Sequence, residues 1–222
     1  YCILADGTAE IAYYPNLEAT SVQIPETLNG TKVTNIAGGA FRFCFNNSSF
    51  EVSPDHPIFA VIDGVLFSKP DKRIISYPLA KEGDTYAIPQ GTEIIGNAAF
   101  YCCVSLTSIS IPDNVTSIET MAFFACSSLT SISIPDSVTS IGNGAFWLCS
   151  SLTSISIPDS VTSIGGWAFE SSSLTSISIP DGITSIGDWT FRDCSSLTSI
   201  SIPNSVTSIG DRAFDECPNL TL

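Results

Sequence analysis

The chain of 222 residues carries 22 acidic against 8 basic side chains, a net charge of −14, and 44% of it is hydrophobic. That composition excludes a disordered chain and is enough for one large folded unit or two small ones. The charge repels phosphate backbones and anionic headgroups, so no nucleic-acid partner is expected; no apolar run reaches the ~20 residues of a membrane helix, so no membrane insertion is expected either.

In chain order, the N-terminus lacks the charged-then-apolar pattern of a signal peptide, and the chain begins at Tyr1 rather than Met. Both features predict a piece of a longer precursor. A lipid anchor on Cys2 is not expected, because Tyr1 is too large for the residue before such a site. Asn29-Gly30-Thr31 reads as a glycosylation sequon. His56 is the only histidine, and in the context PDHP it reads as a turn residue rather than a general base. Asp63-Gly64, inside residues 57–78, is a strong hairpin turn. The chain contains no GxSxG, HExxH, GxxxxGK[ST] or GxGxxG. No catalytic residue and no cofactor is therefore assigned, and the protein is not expected to be an enzyme.

From residue 83 the sequence repeats. LTSISIPD starts at Leu106, Leu129, Leu152 and Leu174, and returns from Leu197 with Asn for Asp. The segments 106–128, 129–151, 152–173, 174–196 and 197–219 align, the third being one residue short, and 83–105 is a degenerate copy. Another copy opens at Leu220, which predicts that the chain continues past Leu222 or that this edge is covered.

Within one copy the apolar set is Leu129, Ile132, Ile134, Val138, Ile141, Ala145, Phe146 and Cys149. It follows neither a helical period nor a sustained alternation. Only Ile132 and Ile134 alternate as in a strand, Pro135-Asp136 turns the chain, and Gly142 and Gly144 mark bends. The unit predicts one coil of a solenoid: a short strand, a corner, a second extended piece, and a tight helical or 3₁₀ turn around Ala145 and Phe146. One coil buries too little to offset its ordering entropy, so the coils must stack.

The pattern L-x-x-I-x-I-P-x-x-V-x-x-I-G-x-x-A-F-x-x-C, read in residues 129–149, resembles the BspA-like subclass of leucine-rich repeats. Residues 31–44, TKVTNIAGGAFRFC, resemble a diverged half-repeat, and 57–78 resemble a hairpin-bearing insertion common in such proteins. The resemblance implies a right-handed leucine-rich-repeat solenoid of short parallel strands. It would comprise diverged N-terminal repeats with the hairpin over 1–82 and regular repeats over 83–222. It also implies a bacterial secreted or cell-surface protein concerned with adhesion.

Several columns of the repeat carry polar chemistry. Cys44, Cys103, Cys126, Cys149, Cys194 and Cys217 each follow the repeat Phe by three residues. Stacked at ~4.8 Å they exceed the usual disulfide Cβ separation, so buried free thiols are expected; Cys2 and Cys102 stay open. With no CxxC, no metal site is assigned. Asp113, Asp136, Asp159 and Asp181 each follow Pro, which favours a turn role over calcium binding. Ser131, Ser133 and their equivalents face outward, a nearly invariant surface with little power to discriminate partners.

Variation is concentrated in two columns. One residue after the Phe stand Arg42, Tyr101, Phe124, Trp147, Glu170, Arg192 and Asp215; two before it stand Gly39, Ala98, Met121, Gly144, Trp167, Trp189 and Arg212. Tyr101, Phe124, Trp147, Trp167 and Trp189 are the candidate binding residues, expected on the outer turn with acidic residues and no basic ones around them, either as partly buried packing against neighbouring coils or as an exposed aromatic stripe that serves as a contact surface. The expected partner is a host matrix or microbial surface protein. A glycan is the less favoured ligand, because no cluster of amides or carboxylates is evident to grip hydroxyls. A passive structural spacer is the rival role.

Overall fold

The computed structural model describes residues 1–221 and is a β-solenoid. Two rows of short parallel strands run along the stack. One contains Thr85–Ala87, Ser108–Ser110, Ser131–Ser133 and Ser154–Ser156; the other contains Arg73–Ser76, Ile94–Ile95, Ser117–Ile118, Ser140–Ile141 and Ser163–Ile164. Register is residue for residue, with Ser131 opposite Ser154 and Ile132 opposite Ile155. Each Ser-Ile-Ser strand therefore points Ile inward and both serines to solvent, as the two-residue period of a strand requires.

The third side of each coil corrects the expected helical or 3₁₀ turn: no helix occurs among the described residues. Around Phe146, the amides of Ala145, Trp147 and Cys149 donate to carbonyls three residues back, at 3.1–3.3 Å. The amides between them, of Gly144, Phe146 and Leu148, donate instead to Gly166, Ala168 and Glu170 of the next coil, at 2.8–2.9 Å. Alternate amides thus point along and across the chain, which a helix forbids because every helical amide points back along its own axis. Left-handed residues make the alternation: Gly144 and Leu148 have φ of 59° and 61°, and the same two columns are left-handed in every regular coil.

The repeat phenylalanines form the spine of the core. Phe100, Phe123, Phe146, Phe169, Phe191 and Phe214 stack with centroids 5.1–5.6 Å apart and ring planes within 15°. Each buried ring contributes roughly 1.5–3 kcal/mol of apolar burial. Threonines bind the coils together outside this core: Thr130 Oγ1 donates to Thr107 O at 3.4 Å and Thr139 Oγ1 to Thr116 O at 3.2 Å.

The one-residue-short repeat interrupts both rows. Ser154–Ser156 does not pair with Ser176–Ser178, nor Ser163–Ile164 with Ser185–Ile186, and pairing resumes in the next coil. The Phe spine and the backbone bond from Thr175 N to Thr153 O, 3.2 Å, cross this seam.

The N-terminal part has parallel pairs of its own, Ser21–Ile24 against Ser49–Val52 and Ala9–Ile11 against Thr31–Ile36, in sheets separate from those two rows. Between it and the regular coils stands the hairpin, Phe59–Ile62 antiparallel to Val65–Ser68, which in turn is antiparallel to Arg73–Ser76. Asp63 and Gly64 have φ of 50° and 75°, as a type I′ turn requires. Both faces of Val65–Ser68 and Arg73–Ser76 carry buried residues, whereas Ile62 at the turn is exposed. Val65, Phe67 and Ile74 join the core of the regular coils, whereas Phe59, Leu66 and Ile75 join the N-terminal core.

Candidate functional site

The two variable columns lie on the outer turn and are complementary. Where the column after Phe carries a ring, the column before it is small or flexible, and the ring folds across it: a Cβ on Gly144 would sit 3.5 Å from the Trp147 indole. Tyr101 and Phe124 stack at 4.6 Å with planes 12° apart, and Phe124 meets Trp147 edge to face at 5.1 Å. These three rings are half-buried, and Trp167 is 38% exposed.

Basic residues do reach the stripe, contrary to the expectation from sequence. The guanidiniums of Arg192 and Arg212 lie 4.6 and 5.3 Å from the Trp189 ring. At the other end the Arg42 guanidinium lies over Phe43, 5.0 Å from the ring; burial raises the Tyr101 phenol pKa, and the Arg42 charge opposes that rise. Arg192 is held by Glu170, whose carboxylate is buried beneath it at 2.8 Å. The stripe is therefore a row of three rings plus exposed Trp167, with Trp189 capped by cations.

The other singled-out residues have structural places. Asp136 is exposed in a turn closed by Val138 N to Pro135 O at 3.0 Å. The ladder cysteines are thiols packed against the spine: Cys126 donates to Phe100 O at 3.1 Å and Cys149 to Phe123 O at 3.2 Å. Burial pushes the Cys149 thiol up to about 12. His56 is buried, and its Nδ1 accepts the amides of Ile58 and Phe59 at 3.2 and 3.1 Å, a turn cap that fixes the proton on Nε2. Burial lowers its pKa. Among the described residues, no group of three or more His, Cys, Asp and Glu is arranged to hold a metal ion, and no helix is long and apolar enough to cross a membrane.

A polar cleft went unseen in the sequence. Where the hairpin meets the N-terminal coil, Asn35, Ser68, Asp71, Arg73 and Asn97 surround a cavity of about 180 Å³ floored by Ile36, Phe59 and Ile75. Arg73 Nε donates to Asp71 Oδ2 at 2.8 Å, and its Nη1 donates to Glu119 Oε2, which also accepts the Asn97 amide at 3.0 Å. Asp71 loses hydration on burial, yet hydrogen bonds from Ser68 and Arg73 outweigh that and hold its pKa low. Asn97 also lines a separate groove of about 470 Å³ along the second strand row, over Ser117, Ser140, Asn143 and Ser163. The one sequence signal was Glu119, which takes the glycine position of its repeat in SIETMAF.

Residues 93–221 match the model of the BspA type leucine rich repeat region, in six copies. A leucine-rich repeat protein of T. pallidum is 26% identical with a TM-score of 0.61, covering 100% of this chain and 87% of that one. A leucine rich cell surface protein of Faecalibacterium prausnitzii is 34% identical with a TM-score of 0.61, covering 92% of this chain. The pneumococcal vaccine antigen PcpA, 24% identical with a TM-score of 0.68 over 91% of this chain, shares the fold. The chain spans 47% and 45% of the last two proteins. No curated protein matches it.

Proposed function

Because the chain belongs to the BspA-type leucine-rich repeat family, we propose that it is a non-catalytic extracellular module that binds a protein on a host or microbial surface. The contact is the aromatic row Tyr101, Phe124 and Trp147, with Trp167 and Trp189 beside it. One observation carries the reading. Trp167 occupies a left-handed position, φ 57°, that Gly144 fills one coil earlier with no side chain at all. Left-handed backbone favours glycine, so a half-exposed indole there is not supplied by the needs of the turn. It fits an exposed anchor for a partner.

A protein suits the row better than a sugar. Tyr101 and Phe124 cover one another's faces, so the row presents ring edges, whereas sugar stacking needs free faces. The net charge of −14 favours a partner with basic residues around an apolar centre. The rival reading, a passive spacer, draws on the continuous Phe spine and the threonine bonds, which make the stack stiff.

The test is binding of the whole chain and its W147A/W167A variant to an array of extracellular-matrix proteins and to intact bacterial cells. Loss of about thirtyfold or more in affinity for whatever the parent binds is expected for two anchor residues. A parent that binds nothing, or a variant that binds equally well, would leave the spacer.

A further inference from the structure

We propose that the cleft between the hairpin and the N-terminal coil is a binding site for a neutral oligosaccharide, whose terminal sugar enters the cavity at Arg73 and whose next units lie in the groove over Ser117 and Ser140.

Three observations converge on that chemistry. The cavity, about 180 Å³, has room for about six waters or one hexose ring. Its wall mixes donors and acceptors: the guanidinium of Arg73, the amide of Asn97, the carboxylate of Asp71, and the amide oxygen of Asn35, whose Nδ2 donates to Glu10 Oε1 at 2.6 Å. A sugar hydroxyl both gives and accepts a hydrogen bond and needs such a mixture. Ile36, Phe59 and Ile75 beneath supply an apolar floor for the C–H face of a pyranose.

Charge excludes the obvious competitor. An anion would need surplus positive charge, but Arg73 is already shared between Asp71 and Glu119. An uncharged, hydroxyl-rich ligand meets no such penalty, since each hydroxyl can replace the water that solvates a wall group.

Length then favours an oligomer over a single sugar. The groove runs from Asn97 across three coil steps to Gly165, about 14 Å at strand spacing. Its floor is small, with Gly142 and Gly165, and its sides carry hydroxyls at coil intervals, Ser117 Oγ lying 3.1 Å from Ser140 Oγ. A chain of sugars along this axis would meet a fresh serine at each coil.

The site shares no residue with the aromatic row, so the two readings fail separately. The experiment is isothermal titration of the whole chain with neutral trisaccharides of N-acetylglucosamine, mannose and galactose, their monosaccharides, and sialyllactose as a charged comparison. At least one neutral trisaccharide should saturate with Kd below about 10 mM, about fivefold tighter than its monosaccharide. Ser140→Trp, which blocks the groove, and Asn97→Ala, which removes an exposed amide with no partner in the protein, should each weaken binding about tenfold or more. W147A/W167A should bind the sugar as the parent does. The proposal is overturned if no neutral trisaccharide saturates, if sialyllactose alone binds, if both cleft variants bind unchanged, or if the aromatic variant loses the sugar.

Discussion

The Arg192 guanidinium donates to the Glu170 carboxylate at 2.8 Å, and the acid is the buried member: its side chain is 5% exposed against 28% for the arginine. Glu170 follows Trp147 in the same column and sits in the short repeat, where both strand rows are interrupted. Its second oxygen has no partner in the protein.

Removing one member should therefore hurt more than removing both. Arg192→Leu leaves a buried, uncompensated carboxylate, whereas Glu170→Leu with Arg192→Leu leaves an apolar contact. Thermal unfolding followed by circular dichroism should rank parent and double variant close together, with R192L clearly below both. A double variant as unstable as R192L would show that the pair's partners, not its charges, hold the seam.

A second prediction comes from the approach of neighbouring coils at the repeat glycine. A Cβ on Gly142 would lie 2.5 Å from Thr120 N, and one on Gly165 2.4 Å from Asn143 N, both against backbone that cannot rotate aside. Gly142→Ala should cost about 1–3 kcal/mol in urea denaturation, as overpacking does. A change under half of that would mean the coils yield more readily than their hydrogen bonds imply.

These examples also divide what the sequence discloses from what it hides. The inward Leu, Ile, Val, Ala, Phe and Cys of residues 129–149 were legible because stacking demands the same buried set in every copy. The turn around Phe146 was legible as tight, but not its alternating hydrogen bonds, because residue types do not reveal which amides bond to the next coil. The cleft was hidden for another reason. Asn35, Arg73 and Asn97 come from segments joined only through the hairpin, and no periodicity connects them. Arg192 stood in the variable column from the start, yet only the geometry places it over Trp189.

The third prediction concerns alkaline pH. Burial raises the thiols of Cys103 and Cys126 well above 9.0 and that of Cys149 to about 12, and raises the Tyr77 phenol to about 12. Between these values and the ordinary ones the unfolded chain releases protons that the folded chain retains, so stability is full below pH 9 and falls as pH rises towards 12. Urea midpoints at pH 8 and pH 10.5 should show the loss. In the folded protein at pH 8, iodoacetamide should reach exposed Cys2 and spare Cys103, Cys126 and Cys149; denaturation without reductant should open at least the six ladder thiols. Two or more ladder disulfides by mass spectrometry would refute the packing assigned to them.

The last prediction sets the inner ring of a coil against the outer ones. Phe146 is fully buried between Phe123 and Phe169, so Phe146→Ala should cost about 3–5 kcal/mol, the usual range for deleting a core aromatic. Trp167 is 38% exposed and left-handed, so Trp167→Gly trades a modest contact for relief of backbone strain. That substitution should leave stability within about 1 kcal/mol of the parent, or raise it. Trp147→Ala should fall between the two, since its indole covers Gly144 and meets the edge of Phe124. Guanidinium denaturation of the three variants gives the order directly. If Trp167→Gly unfolds as readily as Phe146→Ala, the indole is part of the packing and the case for an exposed anchor fails. If it is neutral while partner binding is lost, the ring serves recognition and not the fold.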